Sequence, residues 1–185
     1  MMMMLPSVAL ALLSLLQVGA EVPVQQGFDS EKFAGIWYVA AIASNCSVFL
    51  KMKDGMKASI ITISFTPEGD LDMKLILPME DKCQKYELLF QRTGHAGHYV
   101  GTSEEVRDLR VMETDYSSYA VVHELNHSKE EPHRALQLLT REQDASPQFL
   151  QKFEELMLSV GLTKEMEAIL PKTGECWEDT WGGTR

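Results

Sequence analysis

Between Gly35 and Arg141 the sequence consists of short segments in which apolar and polar residues alternate, and turn-forming residues separate these segments. Successive side chains of a strand point to opposite faces, so this alternation predicts strands with at least one buried face. The segment from Leu71 to Leu77, with Asp72 and Lys74 on its other face, shows the pattern clearly. The sequence predicts eight strands, at residues 35–44, 56–65, 71–77, 83–91, 98–101, 106–113, 118–125 and 133–141.

Eight antiparallel strands in a chain of this length favour an all-β, up-and-down barrel, because closure removes exposed strand edges. A sandwich of two sheets is the alternative. After the last strand, Ser146 and Pro147 are typical of a helix start, and the apolar residues that follow recur at helical spacing. We therefore expect an eight-stranded antiparallel barrel with a C-terminal helix, which packs on the outer face of the last strand at Leu136 and Leu138.

Residues 1–20 contain an apolar run, Val8 to Leu16, and then the small-residue pattern that is typical of a cleaved secretory signal peptide. We expect this segment to be removed and residues 21–185 to form one extracellular domain. All charged residues follow it, and the formal net charge of −10 disfavours nucleic acids and anionic membrane surfaces as partners. No later stretch has the length and apolarity for stable membrane insertion.

Three cysteines in an oxidising compartment allow one disulfide and leave one thiol over. Cys83 opens a predicted strand and Cys176 lies in the C-terminal tail, so a bond between them would hold the tail on the domain. Cys46 would then remain free or pair with another molecule. Asn45 and Asn126 each begin an Asn-x-Ser triplet in a predicted loop, so both are candidate glycosylation sites.

Three short motifs carry a family resemblance. Gly35-x-Trp37 opens the first strand, Thr114-Asp115-Tyr116 joins the sixth and seventh strands, and Arg141 ends the last. In this order and spacing the chain resembles the lipocalins, and it is most similar to the branch with the prostaglandin D synthases and extracellular fatty acid-binding proteins. The resemblance implies that Arg141 packs over Trp37 to seal one end of the barrel, so that these motifs are structural. It also includes the Cys83–Cys176 pair.

The same branch contains an enzyme and a binding protein, and Ser59 bears on the choice between them. In the synthase a cavity cysteine on the second strand performs the chemistry, and alignment with that branch puts Ser59 at its position. A serine hydroxyl needs an adjacent general base to become a nucleophile, and the second strand supplies none. The sequence therefore predicts a non-enzyme.

The residues expected to line the cavity follow from alternation, with the register of the later strands taken from the resemblance. The wall should be mostly aliphatic, with a few polar groups, and should select an apolar ligand with a polar head. Arg107 is either a partner for a ligand carboxylate or a side chain that reaches to solvent. The predicted ligand-binding residues are Val39, Ala41, Ser59, Ile61, Ile63, Met73, Leu75, Leu77, Tyr86, Leu88, Arg107, Val111, Ala120, Val122, His133, Gln137 and Leu139.

These expectations describe a secreted, monomeric carrier of a small hydrophobic or amphipathic molecule of the fatty acid, lysolipid or retinoid type. A cell-surface receptor is a candidate partner, and no cofactor or metal is expected, because the histidines look like solvated loop residues. Two alternatives remain open. One is a prostaglandin-H2 isomerase, and the other is a siderophore-binding lipocalin in which Lys85 or Arg110 would assist Arg107.

Overall fold

The computed structural model describes residues 21–101 and 105–176, so the predicted signal peptide, residues 1–20, and the end of the predicted domain lie outside the described residues. The helices are α1 (Ser30–Phe33), α2 (Ser47–Met52) and α3 (Pro147–Ser159). The strands are β1 (Gly35–Ser44), β2 (Ser59–Phe65), β3 (Leu71–Pro78), β4 (Cys83–Arg92), β5 (His98–Gly101), β6 (Arg107–Thr114), β7 (Tyr119–Asn126), β8 (His133–Thr140) and β9 (Glu167–Ile169).

Strands β1 to β8 close into a barrel. Each pairs antiparallel with the next in sequence, and β8 returns to pair with β1, as Tyr38 opposite Thr140 shows. The first half of β1 pairs with β2, and β9 pairs with its second half. The closed antiparallel barrel with a C-terminal helix confirms the predicted fold class and excludes the sandwich.

A β-bulge in β1 changes which of its residues face the interior. The pairing with β8 shifts between Val39 and Ala41, so one extra residue, Ala40, enters this strand. Val39 belongs to the inner core, but Ala41 packs in the cluster outside the barrel and Ile42 contacts the inner core instead. The prediction that Ala41 lines the cavity is therefore wrong, because the bulge reverses the alternation beyond Val39.

Helix α3 covers the outer face of the barrel. Ser146 caps it, with its side chain accepting from the backbone N–H of Phe149. Phe153 and Met157 are completely buried against an outer cluster that includes Leu136 and Leu138. The predicted position of the helix on the last strand is confirmed.

The C-terminal tail crosses the outside of the barrel near its open end. Strand β9 pairs with Ala41–Ala43 of β1, and the N–H of Ala58 donates to the Pro171 carbonyl at 2.9 Å. At Cys176, the last described residue, the Cys83–Cys176 disulfide joins the tail to β4 and packs with Tyr38, Ile60 and Ile76. The predicted disulfide is thus present, and Cys46, at the N-cap of α2, is a free thiol.

His123 is buried, contrary to the expectation that the histidines are solvated. It lies on the outer face of β7 between Arg110 and Leu136, is 3% exposed, and has no hydrogen-bond partner on either ring nitrogen. Burial, with the positive charges of Arg134 and Arg110 nearby, lowers the pKa of His123 from 6.5 to about 4, although Asp108 opposes this shift. The folded protein therefore holds His123 neutral at pH values where the unfolded chain protonates it.

We expect His123 to make the fold sensitive to acid. Since its folded pKa lies below its unfolded pKa, the stability it contributes is complete above pH 6.5 and decreases as the pH falls towards 4. From neutral pH to the lower end of this window the loss is about 2–3 kcal/mol. Urea unfolding of wild type and His123→Leu at both ends of the window measures it, with exposed His95→Leu as the control. Equal pH dependence in wild type and His123→Leu would contradict the prediction.

Candidate functional site

The inner surface of the barrel is the candidate site. Residues opposite each other on neighbouring strands share a face, so the pairing of Val39 with Ser59 and of Val122 with Gln137 places these four side chains inward. Apart from Ala41, the predicted lining residues all occupy this inner register. This places the side chains, while their binding of a ligand stays a prediction.

Arg141 seals one end of the barrel. Its guanidinium lies 3.6 Å from the centre of the Trp37 ring, and Trp37 is fully buried. The same guanidinium donates to the carbonyls of Lys32, Ala34, Ile36 and Tyr116, at 2.9 to 3.0 Å. This one side chain therefore ties the segment before β1 to the β6–β7 turn, and the end that it covers is closed.

The residues around this clamp explain the other motif positions. Gly35 has a φ of 110°, and an added Cβ would lie 3.0 Å from the Arg141 guanidinium, so glycine is needed there. Asp115 accepts from the backbone N–H groups of Ser118 and Tyr119 and so fixes the β6–β7 turn. Thr114 and Tyr116 complete the closed end, because Thr114 Oγ1 accepts from the N–H of Tyr116 at 2.8 Å. All of these motif residues have structural contacts.

The wall above the closed end is apolar. Inner residues of all eight barrel strands form one buried cluster with the aromatic residues at the floor. Its members include Val39, Ile61, Ile63, Leu71, Met73, Phe90, Tyr99, Leu109, Val111, Ala120, Val122 and Leu139, with Leu75 and Leu88 packed against them. Such a wall favours the apolar part of a ligand.

Two clefts reach this wall. Between β4 and β6 lies one of about 360 Å³, lined in part by Leu88, Phe90 and Arg107. Strand β4 pairs with β5 only at Gln91 and Arg92, so the rest of β4 is separated from its neighbour. The lining of the barrel is therefore accessible from this side.

The second cleft lies at the open end and is apolar. Met52, Met56, Leu77 and Met79 line a volume of about 270 Å³ there. Met52 and Met79 are about half exposed, at 53% and 45%. Flexible methionine side chains around an entrance adapt to ligands of different shape.

A larger groove of about 480 Å³ lies outside the barrel. The N-terminal segment 21–28 forms one side of it, and His95, His98 and Arg110 are on the other. Arg110 in this groove is bound by Asp108 and Glu21, at 3.1 and 3.0 Å. Because the charged groups of the groove are already paired with one another, the barrel interior is the stronger candidate for a ligand site.

The polar inner residues gather at the open end. Arg107, Asn126 and His133 lie side by side on β6, β7 and β8. Glu124, two residues before Asn126, lies on the same inner face of β7. Arg107 Nε lies 3.7 Å from Glu124 Oε1. Burial raises the pKa of Glu124 above its usual value, while the charges of Arg107 and His133 oppose the shift. Arg107 therefore faces a carboxylate of its own chain and is not an isolated cation.

Glu124 is an inner residue that is absent from the predicted lining, although the alternation along β7 indicates it. Ala120 and Val122 were placed inside, and the same alternation continues to Glu124 and Asn126. Asn126 was interpreted as a glycosylation site, but it is 5% exposed and hydrogen-bonds the Glu105 carboxylate, which lowers the pKa of Glu105. A buried amide cannot carry a glycan, so this prediction is wrong for the folded protein. Asn45 is exposed and remains a candidate.

Ser59 and the outward cations bear on the alternative functions. Ser59 is 2% exposed, opposite Val39 and next to Ile61 on the inner face, so its surroundings are apolar. Lys85 pairs with Ile76, which faces outward, and Arg110 lies outside with Asp108 and Glu21. Neither cation reaches the interior to assist Arg107.

Residues 21–101 and 105–176 contain no group of three or more His, Cys, Asp or Glu side chains placed to hold a metal ion. Within the same ranges, no helix combines the length and apolarity required to cross a bilayer.

Comparisons with known proteins agree with this architecture. The model of the lipocalin / cytosolic fatty-acid binding protein family matches residues 34–174. This is well over half of the chain, which therefore belongs to that family.

Individual relatives include binding proteins and enzymes. Human Lipocalin-15 is 37% identical over 157 residues, 85% of each chain. The extracellular fatty acid-binding protein of Coturnix japonica is 35% identical over 173 residues, 94% of this chain and 96% of its own. The prostaglandin-H2 D-isomerase of Equus caballus is 29% identical over 181 residues, 93% of each.

A solved structure described as "The Siderocalin Ex-FABP functions through dual ligand specificities" is also similar. It has a TM-score of 0.72 and 32% identity, and the likeness covers 78% of this chain and 97% of that one.

Proposed function

We propose that the protein is a secreted carrier, without enzymatic activity, that holds a fatty acid, lysolipid or retinoid type of ligand in its barrel. Family membership and the extracellular fatty acid-binding relatives support a carrier of small hydrophobic ligands. The observation that carries the proposal is the distribution of inner residues: an apolar wall along the barrel and a group of charged and polar side chains near the open end. The extracellular relatives and the predicted signal peptide support secretion.

The energetics of such a site are sufficient for binding. Each methylene group that moves from water to the apolar wall contributes about 0.8 kcal/mol. Micromolar affinity corresponds to about 8 kcal/mol. A long alkyl chain therefore supplies more than is needed, and the surplus offsets the lost freedom of ligand and side chains.

The residue at the position of the nucleophile argues against the isomerase alternative. A nucleophilic thiol would have to lie inside the barrel, and Ser59 occupies the corresponding position with an apolar environment. Its hydroxyl does not ionise near neutral pH, and no His, Asp or Glu among the described residues accepts its proton. Cys46, the free thiol, lies outside the strands, at the N-cap of α2.

We expect saturable, micromolar binding of a fluorescent long-chain fatty acid and no conversion of prostaglandin H2 with added thiol. Probe titration, with quenching of tryptophan fluorescence as a second readout, measures the first, and product analysis measures the second. Ser59→Cys should introduce at most a trace of isomerase activity, and Ser59→Ala is its control. Absence of saturable binding would refute the carrier, and robust turnover by the wild type would refute the non-enzyme.

A further inference from the structure

The charges at the open end indicate which head group the carrier accepts. A lone arginine inside a barrel would attract a carboxylate, but Arg107 already faces the Glu124 carboxylate at 3.7 Å. The two side chains are 34% and 22% exposed, so solvent screens their attraction only in part. The pair is close to neutral as a unit, and a ligand carboxylate that reaches Arg107 also meets Glu124.

A second observation comes from Asn126, which lies directly opposite Arg107 in the β-ladder. Its side chain is 5% exposed, and its Oδ1 is buried without a hydrogen-bond partner. A buried acceptor without a partner costs free energy, and a ligand that donates a hydrogen bond would remove this cost. An ionised carboxylate has no proton to donate, whereas a hydroxyl or an amide has one.

His133 adds a further polar side chain. Its Nδ1 lies 3.0 Å from the Glu131 carbonyl, which can only accept, so Nδ1 carries a proton. His133 faces Asn126 from β8, so it belongs to the same polar group.

We propose that Arg107, Glu124, Asn126 and His133 form a head-group site that prefers a neutral, hydrogen-bonding head, such as a hydroxyl or amide, over a free carboxylate. This inference rests on the proposed carrier function and specifies its ligand class: long-chain alcohols, amides or glycerol esters. The alkyl body lies along the apolar wall. The hydroxyl donates to Asn126 or Glu124 and accepts from Arg107.

Displacement of a neutral fluorescent probe, N-phenylnaphthylamine, tests the preference. Palmitic acid and hexadecanol have the same alkyl length and differ in the head group, and palmitamide adds a neutral donor of another kind. We expect wild type to bind hexadecanol and palmitamide more tightly than palmitic acid. Glu124→Gln removes the repelling charge at constant shape and should tighten palmitic acid about tenfold, so that the preference for hexadecanol over palmitic acid is reduced or lost. Exposed Glu68→Gln, at the closed end, is the control for net charge.

Asn126→Ala should act in the opposite sense. It removes the acceptor, so it should weaken hexadecanol severalfold more than it weakens palmitic acid. The double variant Arg107→Gln/Glu124→Gln should bind both ligands with similar affinity, and it gives an independent test if Glu124→Gln folds poorly.

A wild-type preference for palmitic acid, together with no effect of Glu124→Gln, would overturn the head-group inference and leave the carrier intact. Failure of the probe and of every ligand to bind would instead overturn the carrier function, and the inference with it. The two failures are therefore distinguishable in the same titrations.

Discussion

Replacing Trp37 by alanine is expected to lower the free energy of unfolding by about 3–5 kcal/mol, because the indole is fully buried and its loss leaves a large cavity. The indole Nε1 also donates to the Phe33 carbonyl at 2.9 Å, which holds the end of α1 against β1. Its removal further exposes the Arg141 guanidinium to a gap on one side. Urea unfolding followed by far-ultraviolet circular dichroism measures the loss without relying on the deleted fluorophore.

A mutant cycle separates the cation–π contact from the cavity. Arg141 makes its hydrogen bonds to backbone carbonyls whether or not the indole is present, so Arg141→Ala should destabilise both wild type and Trp37→Ala. The coupling between the two sites should be about 1 kcal/mol. Ile169→Ala, at a half-exposed position of β9, is the matched truncation and should cost little. An unchanged free energy of unfolding in Trp37→Ala would refute the role of the indole at the floor.

Strand existence and pairing were predictable because they depend on local alternation. In β3 the apolar set from Leu71 to Leu77 and the opposing Asp72 and Lys74 fix both the strand and its inward face. Antiparallel order follows, since short turns connect neighbouring strands. Strand β9 could not be recognised in the same way, because three residues are too few to establish a period.

The error at Ala41 has a different cause. A bulge depends on how two strands fit around a closed barrel, and no residue type between Val39 and Ile42 indicates one. Alanine is small and apolar enough to lie on either face of the strand. The alternation of apolar and polar residues therefore does not show which face Ala40 and Ala41 occupy. A similar shift occurs in β6, where Val111 pairs with Val122 but Glu113 pairs with Val121, so that Met112 is an extra residue.

The head-group site was partly predictable. Arg107, His133 and Gln137 were placed inward from alternation and resemblance, and they occupy the inner register. The sequence does not identify Glu124, because an acidic residue near the end of a strand is usually exposed to solvent. It does not identify Asn126 either, because its Asn-x-Ser triplet predicts a loop. The distance that pairs Glu124 with Arg107 depends on two strands lying side by side, which sequence alone does not give.

The disulfide should contribute about as much to stability as the Trp37 floor. Cys83 and Cys176 are 93 residues apart in sequence, so the bond closes a long loop in the unfolded chain. In the chain-entropy model a loop of this length corresponds to about 4.6 kcal/mol. We expect the double variant Cys83→Ser/Cys176→Ser to lose this amount in urea unfolding, with Cys46→Ser unchanged as the control.

In the native state, loss of the disulfide should affect mainly the C-terminal tail. Pairing of β9 with β1 and the Ala58–Pro171 hydrogen bond hold the tail where it meets the barrel. Beyond Pro171, the contacts of the described tail include the disulfide and two ion pairs, Lys57–Glu175 and Lys172–Asp144. Both ion pairs are exposed, and each contributes about 1 kcal/mol or less. Hydrogen exchange should therefore rise first in residues 172–176 of the double variant, while β1 to β8 stay protected. Peptide mapping that linked Cys46 to Cys176 in the wild type would contradict both the pairing and this order of opening.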